Sequence, residues 1–128
     1  MITFKAGIEA GTPLVMSAHI AVPAITGSAI PSTLSPLMLT EKLRGELGYD
    51  GIIITDALRM GAISKEYSAS EAAALAFIAG ADILLLPENP LEAFKGVMAA
   101  IEDGRITEER LDASVRRILE LKISKSIN

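Results

Sequence analysis

The chain has 128 residues, half of them hydrophobic and 22% charged, with a net charge of −4. That length allows one domain at most, and folding could bury roughly two-thirds of its extended-chain surface. Acidic balance, few aromatics and no basic run disfavour nucleic acid or an anionic membrane surface as a partner. The absence of cysteine excludes disulfides, iron–sulfur clusters and thiolate zinc, and a single histidine excludes a site built on several imidazoles. No apolar run approaches the about 18 residues of a membrane span. The N-terminus lacks the basic start and long apolar core of a signal peptide, so a cytoplasmic location is the expectation.

Residues Phe4 to Ala10, closed by Gly11, read as the last turns of a helix with a glycine C-cap. The run Pro13-Leu14-Val15-Met16-Ser17-Ala18 reads as a buried strand that delivers His19 to its C-terminal rim. His19 either faces a polar ligand or bonds to a neighbouring loop. Residues 22–35, rich in proline, glycine and serine, form a loop longer than the about 2–6 residues usual for a βα connection. Such a loop shapes a pocket or packs as a surface excursion. Ser35-Pro36 starts a helix, with Leu39, Leu43 and Leu47 on one face and Gly48 at its end.

Gly51-Ile52-Ile53-Ile54-Thr55-Asp56 is the stretch around which the rest is organised. Three β-branched residues in an unbroken apolar run suit a parallel strand covered on both faces. Asp56 then stands at the strand's C-terminal end, where α/β sheets and barrels place their ligands. Equally, its carboxylate has the place of a cap for the following turn. Met60 reads as a substrate contact or as filler, and Arg59 as a surface charge or an ion-pair partner.

Ser68 and Glu71 have capping-box spacing ahead of an alanine-rich helix that ends at Gly80. Ala81 to Pro87 reads as a third buried strand, with Asp82 at its start and therefore structural. Asn89-Pro90 opens a helix carrying a Phe94, Val97, Met98, Ile101 stripe. Thr107 opens the last helix, where Leu111, Val115, Ile118, Leu119 and Lys122 follow the spacing of a core-facing face. Arg116-Arg117 reads as a solvated or salt-bridging pair. Strand–helix alternation predicts an α/β fold, with three adjacent parallel strands at 13–18, 52–55 and 83–86 and helices on one side.

Several motifs in order carry a resemblance: Leu14 to His19; Pro31-Ser32-Thr33-Leu34-Ser35; Leu43 to Gly51; Ile54-Thr55-Asp56-Ala57-Leu58-Arg59-Met60; Ala79-Gly80-Ala81-Asp82; and Val115 to Leu119. Over nearly its whole length the chain resembles the C-terminal portion of the catalytic (β/α)8 TIM barrel of the family 3 glycoside hydrolases. Within that family it is most similar to the bacterial β-N-acetylglucosaminidase branch. The resemblance implies a retaining glycosidase that releases terminal β-linked N-acetylglucosamine from peptidoglycan-type or chitin-type sugars. It implies that Asp56 is the nucleophile of a covalent glycosyl-enzyme intermediate, that His19 and Met60 line the sugar pocket, and that no cofactor or metal takes part.

The chain departs from the pattern in one respect. Retention needs a general acid, which this branch supplies from a histidine–aspartate pair on a K-H-F-P-G-H-G-type loop. No such motif is present, and His19 is the sole histidine. Residues 1–128 therefore match a family 3 catalytic domain truncated at its N-terminal side, carrying the nucleophile without the acid/base loop. The expected partners are a carbohydrate and either the missing part of the barrel or further copies of the chain. Two other readings stand beside this one: a catalytically silent barrel fragment acting as an assembly or interaction module, and an unrelated α/β binding domain.

Overall fold

The computed structural model describes residues 2–125. The order is α1 (Ile2–Glu9), β1 (Leu14–Met16), α2 (Pro23–Thr26), a 3-10 turn (Ser32–Leu34), a π-helix (Leu37–Glu46), β2 (Ile52–Ile54), α3 (Gly61–Ser64), α4 (Ala69–Ala79), α5 (Pro90–Glu102) and α6 (Glu108–Ser124). Strands β1 and β2 are parallel, with Leu14 opposite Ile52, Val15 opposite Ile53 and Met16 opposite Ile54. No helix among the described residues is long and apolar enough to cross a membrane.

The expected third strand over 83–86 is reduced to one parallel bridge, Ile54 to Ile83. Beyond Ile83 the backbone leaves the ladder. The Leu85 N–H donates to the Thr55 side-chain hydroxyl at 2.9 Å instead of to a strand carbonyl. The carbonyls of Leu85 and Leu86 accept from Leu58 and Arg59, in the turn after β2. Leu86 lies at φ 42°, a left-handed conformation incompatible with a continuing strand. The apolar run thus lies half-buried beside β2, with Leu86 exposed, and is fastened to a loop and a side chain.

The layer between strands and helices holds Val15, Leu39, Leu43, Tyr49, Ile53, Ala79 and Ala81. Leu39 and Leu43 come from the expected helix. Its C-terminal turn is bonded five residues back, the Leu47 N–H donating to Lys42 O at 3.0 Å. Alanines on α4 allow α5 to lie close against it. At Gly96 a Cβ would overlap the Ser70 carbonyl, so glycine is required by proximity. The capping box read from Ser68 and Glu71 is present, as are the Asn89 and Thr107 caps.

The outer helices differ from expectation. On α5 the buried residues are Ala93, Gly96 and Ala100, while Phe94 is 63% exposed. On α6 only Ser114 is buried, and Val115 and Leu119 are exposed. The cause lies on the adjoining face of α6. Arg110, Ser114 and Arg117 are all bonded to Asp82, and this polar anchorage leaves Val115 and Leu119 outside while Leu111 still packs against the Ala74, Phe77, Ala100 and Ile106 cluster.

Candidate active site

The ladder continues past the last strand residues to the C-terminal rim. Ser17 N–H donates to Ile54 O at 2.8 Å, and Asp56 N–H donates to Ser17 O at 3.1 Å. This backbone pairing brings the ends of β1 and β2 together, and with them His19 and Asp56. Asp56 is half-buried, and its Oδ1 accepts the Ala57 N–H at 2.7 Å. The carboxylate thus caps its own turn and also stands at the rim, so both readings of Asp56 describe one geometry.

His19 is bonded through both ring nitrogens. Nε2 lies 3.0 Å from the Ala57 carbonyl, and Nδ1 lies 3.0 Å from the Thr33 hydroxyl. Thr33 is fully buried and lies 2.9 Å from the Ser17 hydroxyl. The long 22–35 loop therefore supplies a rim contact through its last residues. Met60 sits farther round, as the residue capping the start of α3, and is 45% exposed. Its N–H also donates to Ala57 O, at 3.0 Å. The structure brings Asp56 and His19 to one residue, Ala57, and ties Met60 to the same carbonyl through its backbone.

Ser17 and Thr33 were not singled out as site residues from sequence, although both fall within the quoted motifs. Lone hydroxyls carry no periodic signal, and only the fold brings residues 16 positions apart into contact. No group of three or more histidine, cysteine or acidic side chains suited to a metal occurs among the described residues. An apolar groove of about 300 Å³ lies between α1, β1 and the π-helix, lined by Phe4, Met16, Ile20, Met38, Leu39 and Leu43. Neither Asp56 nor His19 lines it.

The opposite end of the sheet is held by charge. Asp82 has a fully buried side chain, accepting from Arg44 Nη2 at 2.5 Å and from the Ile53 N–H at 2.9 Å. Burial pulls Arg44 and Arg110 below the ordinary guanidinium range, an effect that Asp82 opposes. Burial likewise raises the neighbouring Tyr49 to about 12. This end is structural, as the position of Asp82 in the sequence implies.

Comparison with known proteins agrees with this geometry. Residues 1–121 match the model of the glycosyl hydrolase family 3 N-terminal domain. The chain is 33% identical over 136 residues to a beta-N-acetylglucosaminidase/beta-glucosidase of Cellulomonas fimi, covering 99% of this chain and 24% of that protein. It is 34% identical over 142 residues to beta-hexosaminidase A of Pseudoalteromonas piscicida, covering 95% of this chain and 24% of that protein. A solved family 3 beta-N-acetylglucosaminidase from Paenibacillus sp. str. FPU-7 superposes with a TM-score of 0.93 at 45% identity, over 97% of this chain and 24% of that one. The chain thus spans about a quarter of the length of these proteins. Its architecture is that of a portion of a TIM-barrel-type domain, and the chain belongs to the glycosyl hydrolase family 3 N-terminal domain family.

Proposed function

We propose that this chain is the nucleophile-bearing portion of a retaining glycosidase that releases terminal β-linked N-acetylglucosamine from peptidoglycan-type or chitin-type sugars. The observation that carries the reading is Asp56: a half-buried carboxylate at the C-terminal rim of a parallel sheet, in a family 3 chain. One carboxylate oxygen is held by the Ala57 N–H, leaving the other to attack the anomeric carbon. The bond from that carbon to the leaving oxygen breaks as a glycosyl ester forms, and water then cleaves the ester with net retention. His19 and Met60 line the sugar pocket beside it. The relatives named for N-acetylglucosaminidase and hexosaminidase activity support the choice of sugar.

The leaving oxygen must also be protonated, a contribution of about 10²–10⁴-fold. His19 is the sole histidine and is bonded at both nitrogens, so we assign the acid to a part of the family 3 domain outside this chain. The chain alone is expected to show no measurable hydrolysis of a natural N-acetylglucosaminide. Mixing it with a second chain that supplies the earlier strands and the K-H-F-P-G-H-type loop is expected to restore turnover. Robust hydrolysis by the unmixed chain would place an acid among its own residues and overturn this assignment.

A second reading rests on a separate observation. Among the described residues β1 pairs on one edge only, and Leu14 and Met16, on the face opposite buried Val15, are 37% and 48% exposed. Unpaired backbone groups beside exposed apolar side chains favour association. In this reading the chain is an assembly module whose partner is the rest of a barrel or another copy of itself. Sedimentation of the isolated chain is expected to give a concentration-dependent mass above that of the monomer. A single monomeric species at all concentrations would remove this reading.

A further inference from the structure

We infer that His19 is a positioning residue whose Nε2–H, donated to the Ala57 carbonyl, fixes the turn that aims the Asp56 carboxylate. The inference rests on the proposed role of Asp56 and specifies how that carboxylate is held. Hydrogen-bond polarity gives it a direction. A peptide carbonyl only accepts, so Nε2, 3.0 Å from Ala57 O, must carry a proton. In the neutral ring Nδ1 is then bare and accepts from the Thr33 hydroxyl at 3.0 Å. With its own proton committed to His19, Thr33 Oγ1 accepts from Ser17 Oγ at 2.9 Å. The chain of donors runs from Ser17 to Thr33 to His19 to Ala57, and its first two members are buried.

Ala57 is where the chain acts. Its N–H is held by Asp56 Oδ1 at 2.7 Å. Its carbonyl accepts from His19 and also from the Met60 N–H at 3.0 Å. Every polar group of residue 57 is therefore engaged. His19 supplies the side-chain link from the β1 rim to the Asp56 turn, beside the backbone bond from Asp56 N–H to Ser17 O. A histidine suits the place because one ring spans a buried hydroxyl and a carbonyl on two different segments, and the hydroxyl selects the tautomer. The functional demand is geometric, since a nucleophile misplaced by a fraction of an ångström loses rate while sugar contacts persist.

The test is spectroscopic and needs no turnover, so it can fail while the glycosidase reading stands, and the reverse. Long-range 1H–15N spectra of the full 128-residue chain, recorded with the ring neutral, are expected to place the proton on Nε2. A proton on Nδ1 overturns the inference. Hydrogen exchange reads the consequence. In His19→Phe the Ala57 amide is expected to exchange roughly five- to tenfold faster, the loss of one hydrogen bond, while the Ile52 and Ile53 amides keep their protection. His19→Gln, whose side-chain N–H reaches toward the same carbonyl, is expected to recover most of the protection. Unchanged exchange at Ala57, or an equal rise at all three amides, would leave His19 as ordinary packing and refute the proposal. If His19→Phe does not fold, Thr33→Val removes only the orienting hydroxyl, and unaltered ring 15N shifts in that variant would refute it as well.

Discussion

Replacing Asp82 with alanine is expected to destabilise the chain by about 3–5 kcal/mol, the cost of removing one partner from a buried charge cluster. The carboxylate is fully buried and serves three guanidiniums, from Arg44, Arg110 and Arg117, whose side chains are 15%, 24% and 22% exposed. Oδ2 accepts from Arg44 and from the Ile53 N–H, and Oδ1 accepts from Ser114 Oγ at 2.5 Å. Removing it leaves three partly desolvated cations facing one another with no buried counter-charge. It also strips the Ile53 N–H, in the middle of β2, of its acceptor. Against a typical total of about 5–15 kcal/mol, a loss of this size brings the chain near its unfolding midpoint. Asp82→Asn keeps the shape without the charge and turns an N–H2 group toward donors, so it should fare little better. Urea denaturation monitored by circular dichroism measures the change. A loss under about 1 kcal/mol in both variants would show that water or rearranged arginines satisfy the cluster. Replacing Arg110 and Arg117 with methionine in the Asp82→Ala background should recover part of the loss, because the uncompensated charges go too.

That cluster marks the limit of what was legible in the sequence. Asp82 is recognisable as structural from its place at the start of an apolar run. Its partners are not, because Arg44, Arg110 and Arg117 lie 28 to 38 positions away and carry no shared spacing. The placement of Asp56 and His19 at one rim is legible for a local reason. Each ends an apolar run, and parallel strands present their C-terminal ends on one rim. Thr33 and Ser17 become visible only once the loop has folded back onto β1. The third apolar run misleads because Ile83–Leu86, like Ile52–Ile54, is an unbroken aliphatic run, although only Ile83 in it is β-branched. What separates them is the Thr55 hydroxyl, which takes a backbone donor that a longer strand would have paired with a carbonyl. The exposed stripe on α6 follows the same lesson. Periodicity shows that a face is apolar, whereas the arginines bonded to Asp82 decide which face meets the core.

Asp56→Asn is expected to abolish turnover in the complemented assembly, with a fall on the order of 10⁴–10⁶-fold in kcat. The substitution removes the attacking charge at nearly constant volume, so packing at the rim is preserved. The amide oxygen can still accept the Ala57 N–H that Asp56 Oδ1 accepts, so the turn keeps its local bond. Folding is therefore expected to be unaffected, which separates lost chemistry from lost structure. Both p-nitrophenyl N-acetyl-β-glucosaminide and a natural disaccharide should be assayed, because they divide the reaction differently. The nitrophenolate leaves with little acid assistance, so its rate depends chiefly on the nucleophile. The natural sugar needs both nucleophile and acid. Loss on both substrates, with KM little changed, is the signature of a missing nucleophile. Loss confined to the disaccharide would instead identify Asp56 with proton transfer. Full activity on both substrates would move the nucleophile to another residue. Chemistry offers one further check: Asp56→Gly removes the side chain and leaves room for azide or formate as an external nucleophile, and partial rescue of that assembly on the nitrophenyl substrate would show that the vacant role is attack at the anomeric carbon.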